Sequence, residues 1–170
     1  MAVRPILHYP DKRLRNPGKP VTRFDAELRQ LVDDMAETMY AAPGVGLAAP
    51  QIGVSLRLFV IDVAAGDDAP SQLRTFINPE IIERSGEVSY EEGCLSFPGV
   101  HEEIDRAERV KVRAYDQNGK AFTLEAQGLL AVCIQHEMDH LQGKVFVEHL
   151  SQLKQQRIRA KLAKQLRKSA

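Results

Sequence analysis

Apolar residues in this chain recur at two periods, and the changes of period mark its elements. Leu28, Leu31, Val32, Met35 and Met39 fall at helical spacing, with Asp25 placed to cap the start and Pro43-Gly44 to stop the pattern. That predicts a helix whose apolar face packs on a sheet. Residues 56–63 (LRLFVIDV) are rich in β-forming side chains and predict a strand, residues 66–70 (GDDAP) an exposed loop, and residues 74–83 a further strand. Val110, Val112 and Ala114 alternate with charged or polar neighbours, as do Phe122, Leu124 and Ala126. The DQNG run at 116–119 between them predicts a β-hairpin. After Gly128 the period turns helical through Leu129, Val132, Cys133, His136 and His140, and Gly143 is placed to end that helix. A last amphipathic helix puts Leu153, Ile158, Leu162 and Leu166 on one side and basic residues on the other. Five Pro and Gly residues between positions 5 and 20 predict an extended, turn-rich lead-in. The fold class expected is α+β, with mainly antiparallel strands surrounding a central helix and an amphipathic helix at the C-terminal end.

Composition limits where such a chain works. At 170 residues, with 44% apolar and 27% charged residues, it fits one domain with a core that needs no staples. The expected domain spans residues 1–170, with 151–170 as a basic C-terminal helix. No run of 18 apolar residues exists and the first residues carry no export signal, so a cytoplasmic monomer outside any membrane is expected. Net charge is zero but unevenly placed. Residues 151–170 hold four Lys and three Arg with no acid, leaving 16 basic against 23 acidic residues in 1–150.

The chemistry is concentrated in Gln135-His136-Glu137-Met138-Asp139-His140. Residues four apart on a helix share a face, with Cβ atoms about 5–6 Å apart, so both imidazoles can reach one divalent metal while Glu137 stands beside it to move protons. A catalytic site of this kind needs a third protein ligand. Cys133 shares the face but lies seven residues before His140, a rise of about 10.5 Å, too far for a short thiol to meet the far ring on one ion. It is read as an apolar filler. Cys94, in the segment EEGCLSFP at 91–98, lies between glycine and proline where the chain need not be regular and can bend toward the helix. Cys94 is therefore the preferred third ligand. Ser96 reads as a turn residue, Asp139 as a salt-bridging group, and His101 and His149 as surface residues.

Three separated blocks resemble peptide deformylase, the metal-dependent hydrolase that removes the formyl group from the starting methionine of new bacterial proteins. They are GVGLAAPQIG at 44–53, EGCLS at 92–96 and QHEMDH at 135–140. The resemblance implies metal ligation by Cys94, His136 and His140, and acid–base work by Glu137. It implies that the Gln51 amide and the Leu95 N–H donate to the developing oxyanion. It also implies that the substrate lies along Val45, Gly46 and Gly93, with its methionine side chain against Leu129, Val132 and Cys133. The implied ion is Fe²⁺ in the cell, with Zn²⁺, Ni²⁺ or Co²⁺ in isolated protein. The implied partners are N-formylmethionyl peptides and, through the basic helix, the ribosome. Some members carry an arginine shortly after the second block, where this chain reads Pro98-Gly99-Val100-His101. Two other functions compete: an HExxH metalloprotease, which takes its third ligand downstream of the helix, and a non-enzymatic ribosome-associated module.

Overall fold

The computed structural model describes residues 2–64 and 71–169. The loop expected at 66–70 lies outside the described residues, as does the side chain of Leu166. The first helix, α1 (Ala26–Ala41), begins where the Asp25 carboxylate accepts the Leu28 N–H at 3.0 Å, an N-cap that satisfies a donor the helix leaves open. Its five periodic residues, Leu28, Leu31, Val32, Met35 and Met39, are all buried. They pack with Leu47, Leu58, Val60 and Ile77, so the apolar face does meet a sheet.

That sheet has five antiparallel strands: β1 (Gly46–Ala48), β2 (Leu58–Ile61), β3 (Arg74–Ser85), β6 (Arg109–Tyr115) and β7 (Ala121–Gln127), in the order β1-β2-β3-β6-β7. The expected strand over 56–63 is trimmed at both ends. Leu56 bridges to Lys19, and Asp62 leaves the ladder to accept the Tyr40 hydroxyl at 2.6 Å and the Ala64 N–H at 2.9 Å. In β3 the ladder is irregular around Asn78, which adopts φ 50° and binds both the N–H and C=O of Val21 through its side chain. The β6–β7 hairpin has the predicted alternation, with Val112 opposite Leu124.

A second sheet of two strands, β4 (Val88–Cys94) and β5 (Phe97–Arg106), is a hairpin that the patterning did not predict. Cys94 is therefore not in an irregular segment. It ends a strand, next to a register shift at Gly93 and a two-residue turn formed by Leu95 and Ser96. The alternation was hidden because the positions facing the protein include Glu92 and Arg106, both buried.

The central helix α2 (Gly128–Leu141) packs on β1, β2, β6 and β7. Beyond it Gly143 has φ 75°, and a Cβ there would collide with the backbone carbonyl of Arg15. The lead-in is tied to the body at several points: Leu7 N to Gln51 O at 2.7 Å, Tyr9 N to Ser96 O at 2.8 Å and Gly18 N to Leu141 O at 2.8 Å. The last helix, α3 (Gln152–Ser169), buries Ile158 and Leu162 against a cluster containing Leu14, Phe97 and Phe146. Leu153 does not join them and is 57% exposed. Five residues separate it from Ile158, which turns it about 140° around the helix. Among the described residues no helix is long and apolar enough to cross a membrane.

The N-terminal strap is held electrostatically as well. Asp34, buried on α1, receives Arg4 Nε and Nη2 at 3.0 and 2.8 Å, Gln30 Nε2 at 2.8 Å and the Ala2 N–H at 2.8 Å. The Arg4 guanidinium first, and Gln30 after it, hold the carboxyl down to about 2. A depressed carboxyl stabilises the fold above its unfolded pKa, and that contribution disappears as pH falls toward 2. Asp34→Asn is expected to lower the urea midpoint at pH 7, with the gap to the wild type closing between pH 4 and pH 2.

Candidate active site

His136 and His140, one turn apart on α2, present their rings to one side with centroids 5.3 Å apart. The β4–β5 turn brings Cys94 to the same point, with its Sγ 3.4 Å from His140 Nε2. The ligand atoms of Cys94, His136 and His140 all lie within 4.8 Å of one another, the one such grouping among the described residues. Cys133 stands outside it. Burial first, then the neighbouring Glu137, pushes the Cys133 thiol up to about 12, so it remains protonated.

Each histidine is set by a different surrounding. His136 Nδ1 meets Glu92 Oε1 at 2.8 Å, which leaves Nε2 to face the cluster. Burial opposes charge on this ring, yet hydrogen bonds to Cys94 and Glu92 raise its pKa well above the usual value. For His140, burial and the neighbouring His136 lower the pKa to about 3, so this ring stays neutral with a lone pair to offer. A thiol, a neutral imidazole and an imidazole backed by a carboxylate form a donor set suited to a divalent transition metal. The residues present therefore fit the ion that the sequence implies.

Glu92 is itself anchored. Arg106, buried on β5, binds both of its oxygens at 2.9 Å and also reaches Asp139 Oδ2 at 2.8 Å. His149 closes the network at 2.8 Å from Asp139, so this exposed residue is more than the free surface group expected. Asp139 is salt-bridged, as expected. Glu92 and Arg106 are the functional neighbours that the sequence reading missed. Their only signal was an acid inside the second block and an arginine at a strand end, which looks like any solvated charge.

Glu137 is 3% exposed, with Oε1 3.9 Å from His136 Nε2 and Oε2 without a hydrogen-bond partner. Burial, only partly offset by His136, raises this carboxyl to about 7. A group of that affinity can both accept and return a proton near neutral pH. Strand β1 runs close above it, since a Cβ on Gly46 would stand 3.2 Å from its carboxyl carbon.

Gln51 is buried in a 3-10 turn (Ala49–Ile52) and is not a surface amide. Its Oε1 accepts the Ala48 N–H at 2.9 Å, and its Nε2 lies 3.1 Å from Ser96 Oγ and 3.5 Å from Cys94 Sγ. Val45, Gly46, Gly93, Leu129, Val132 and Cys133 all line one cavity of about 890 Å³, into which Leu95, His136 and Glu137 also open. His101 lines it too, packed so near Gly93 that a Cβ there would come within 2.9 Å of its ring.

Comparison with known proteins gives one answer. A family model described as polypeptide deformylase matches residues 3–156. The peptide deformylase of Chromobacterium violaceum is 60% identical over 164 residues, 96% of each chain. A crystal structure of the Legionella pneumophila peptide deformylase superposes with a TM-score of 0.92 at 52% identity, covering 99% of this chain and 98% of that one. The Ehrlichia chaffeensis enzyme in complex with actinonin gives 0.91 at 43% identity, covering 97% and 98%.

The buried pair generates a prediction. Glu92→Gln keeps the shape but weakens the acceptor behind His136, and should loosen metal retention about 10- to 100-fold in competition with a chelator. Arg106→Ala leaves the buried Glu92 without its guanidinium partner, with only the His136 ring beside it, and should lower stability by about 3 to 5 kcal/mol in urea unfolding.

Proposed function

The chain belongs to the polypeptide deformylase family, and we propose that Cys94, His136 and His140 hold its metal while Glu137, Gln51 and the Leu95 N–H carry the hydrolysis. The enzyme removes the N-formyl group from the starting methionine of newly made polypeptides and releases formate. Cys94, His136 and His140 would hold a divalent ion, which would supply Lewis-acid polarisation of the formyl carbonyl and an acidified water near neutral pH.

The chain's own residues do the rest. Glu137 takes a proton from the attacking water onto Oε2, the carboxylate oxygen left without a hydrogen-bond partner. As the formyl oxygen becomes negative, the Gln51 amide and the Leu95 N–H donate to it from fixed positions in a buried setting, where such donors act most strongly. Glu137 then returns its proton to the departing amine nitrogen, freeing the methionine. Val45, Gly46 and Gly93 offer backbone to an extended peptide, and the missing side chains of the two glycines leave room for Glu137 and His101 beside it. Leu129, Val132 and Cys133 give the methionine side chain an apolar wall.

The observation that carries this reading is the convergence of Cys94 with the two histidines. A metalloprotease would draw its third ligand from beyond His140, and there His149 is bound to Asp139. We propose Fe²⁺ as the ion used in the cell, with Zn²⁺, Ni²⁺ or Co²⁺ replacing it during isolation, and a single catalytic unit over residues 1–170 that works as a cytoplasmic monomer.

The basic helix supplies a second part of the proposal. Ile158 and Leu162 face inward, while Lys154, Arg159 and Lys161 reach back to Glu102, the Tyr9 hydroxyl and the Gly99 carbonyl. The exposed Arg157 and Lys164 then face outward toward the anionic ribosomal surface from which the substrate emerges.

Two measurements test these assignments. Glu137→Ala should retain its metal by elemental analysis yet release formate from a formyl-methionyl peptide about 10² to 10⁴ times more slowly; retained activity would remove Glu137 from the chemistry. Arg157→Glu with Lys164→Glu should weaken co-sedimentation with ribosomes and flatten its dependence on salt. Unchanged, salt-independent co-sedimentation would end the ribosome proposal.

A further inference from the structure

The carboxamide of Gln51 has one oxygen and two N–H donors, and the structure accounts for each. Its oxygen faces the Ala48 N–H at 2.9 Å, which fixes which way round the amide sits, because a backbone N–H can only donate. Its nitrogen is left with two neighbours of unequal strength. Ser96 Oγ lies at 3.1 Å, an ordinary hydrogen bond, whereas Cys94 Sγ lies at 3.5 Å, a contact with a weak acceptor. Ser96 itself is 0% exposed, and among the described residues its Oγ meets the Gln51 amide while its carbonyl accepts the Tyr9 N–H. Among the described residues no histidine or carboxylate is bonded to its hydroxyl, so they give it none of the surroundings of a nucleophile.

We propose that Ser96 is a positioning residue, whose hydroxyl holds one N–H of Gln51 so that the other is aimed at the substrate oxygen as it becomes negative. This rests on the reading of Gln51 as an oxyanion donor. The two N–H bonds of a planar amide diverge by a fixed angle, so anchoring one sets the direction of the other. Before the reaction that second N–H has only sulfur to meet. In the transition state it exchanges a weak N–H···S contact for a charge-assisted N–H···O bond, a gain absent from the ground state. Ser96 thereby acts on kcat and leaves KM alone.

The placement of Ser96 is itself rigid. It follows Leu95, the other proposed donor, in the β4–β5 turn, so one turn sets one donor directly and the second through a hydroxyl. The lead-in fixes both partners' backbones, through Leu7 N on Gln51 O at 2.7 Å and Tyr9 N on Ser96 O at 2.8 Å.

The test is a double-mutant cycle on metal-loaded enzyme with a formyl-methionyl peptide, measuring kcat and KM separately. Gln51→Ala should lower kcat about 10²- to 10³-fold. Ser96→Ala should lower kcat on the order of tenfold with KM unchanged, and should lower it no further in the Gln51→Ala background. Ser96→Cys, which keeps the volume but supplies a poor acceptor, should show the same pattern and covers the case in which the alanine variant folds badly. An unaltered kcat in both Ser96 variants, or an equal loss in the two backgrounds, would overturn the assignment of Ser96. An undiminished kcat in Gln51→Ala would instead remove the donor that Ser96 is said to aim, and the inference with it.

Discussion

Charge inside the protein is the constraint around which this molecule is arranged. Helix α2 carries His136, Glu137 and His140 into a buried environment, where any charge loses several kcal/mol of hydration that only a partner offsets. Arg106 answers that demand, because one buried guanidinium joins Glu92 and Asp139 and, through Glu92, orients His136. Two carboxyls on the same helix show the effect in opposite senses. Asp139 is partly buried, but hydrogen bonding to His149 and the charge of Arg106 hold it down to about 2. Glu137, two residues earlier, faces away from the guanidinium, and burial lifts it to about 7. One side of the helix is thus fixed in charge while the other can exchange a proton.

The remaining elements set what can approach that face. Strand β1 covers Glu137 with a glycine where any side chain would press on the carboxyl group, and β4 ends in Cys94 at the edge of the same cavity. The cavity wall therefore combines the β1 and β4 main chain with apolar side chains of α2, and polar side chains such as Tyr90 and His101 also line it.

Much of this was visible in the residues alone, for reasons that differ element by element. α1, α2 and the β6–β7 hairpin each bury one face against the core and expose the other, so their periods survive in the sequence. The β4–β5 hairpin buries charged groups and exposes others, which erases the alternation that would have marked it. Leu153 was assigned to the buried side of the last helix because it is apolar, although its angular position sends it to solvent. Cys94, His136 and His140 were legible as candidate ligands because the histidine spacing, the helix rise that sets Cys133 aside and the resemblance of the second block all pointed to them. The Glu92–Arg106 pair was not, since a charge that is paired inside looks the same in a sequence as one that is solvated. Strand order depends on contacts between residues far apart in the chain, and no local pattern encodes them.

The tethering of the lead-in has a consequence for the order in which the molecule can be completed. Tyr9 bonds to Arg159 across 150 positions of sequence, and Gly18 rests on the last turn of α2. Chains are made at about 5 to 20 residues per second, so the first strap is made about 8 to 30 s before its last partner. Gln51 and Ser96 are braced by that same strap. An enzyme that works on newly made proteins is thus, by the topology of its own fold, unable to brace its site fully until residue 159 of its own chain has been made.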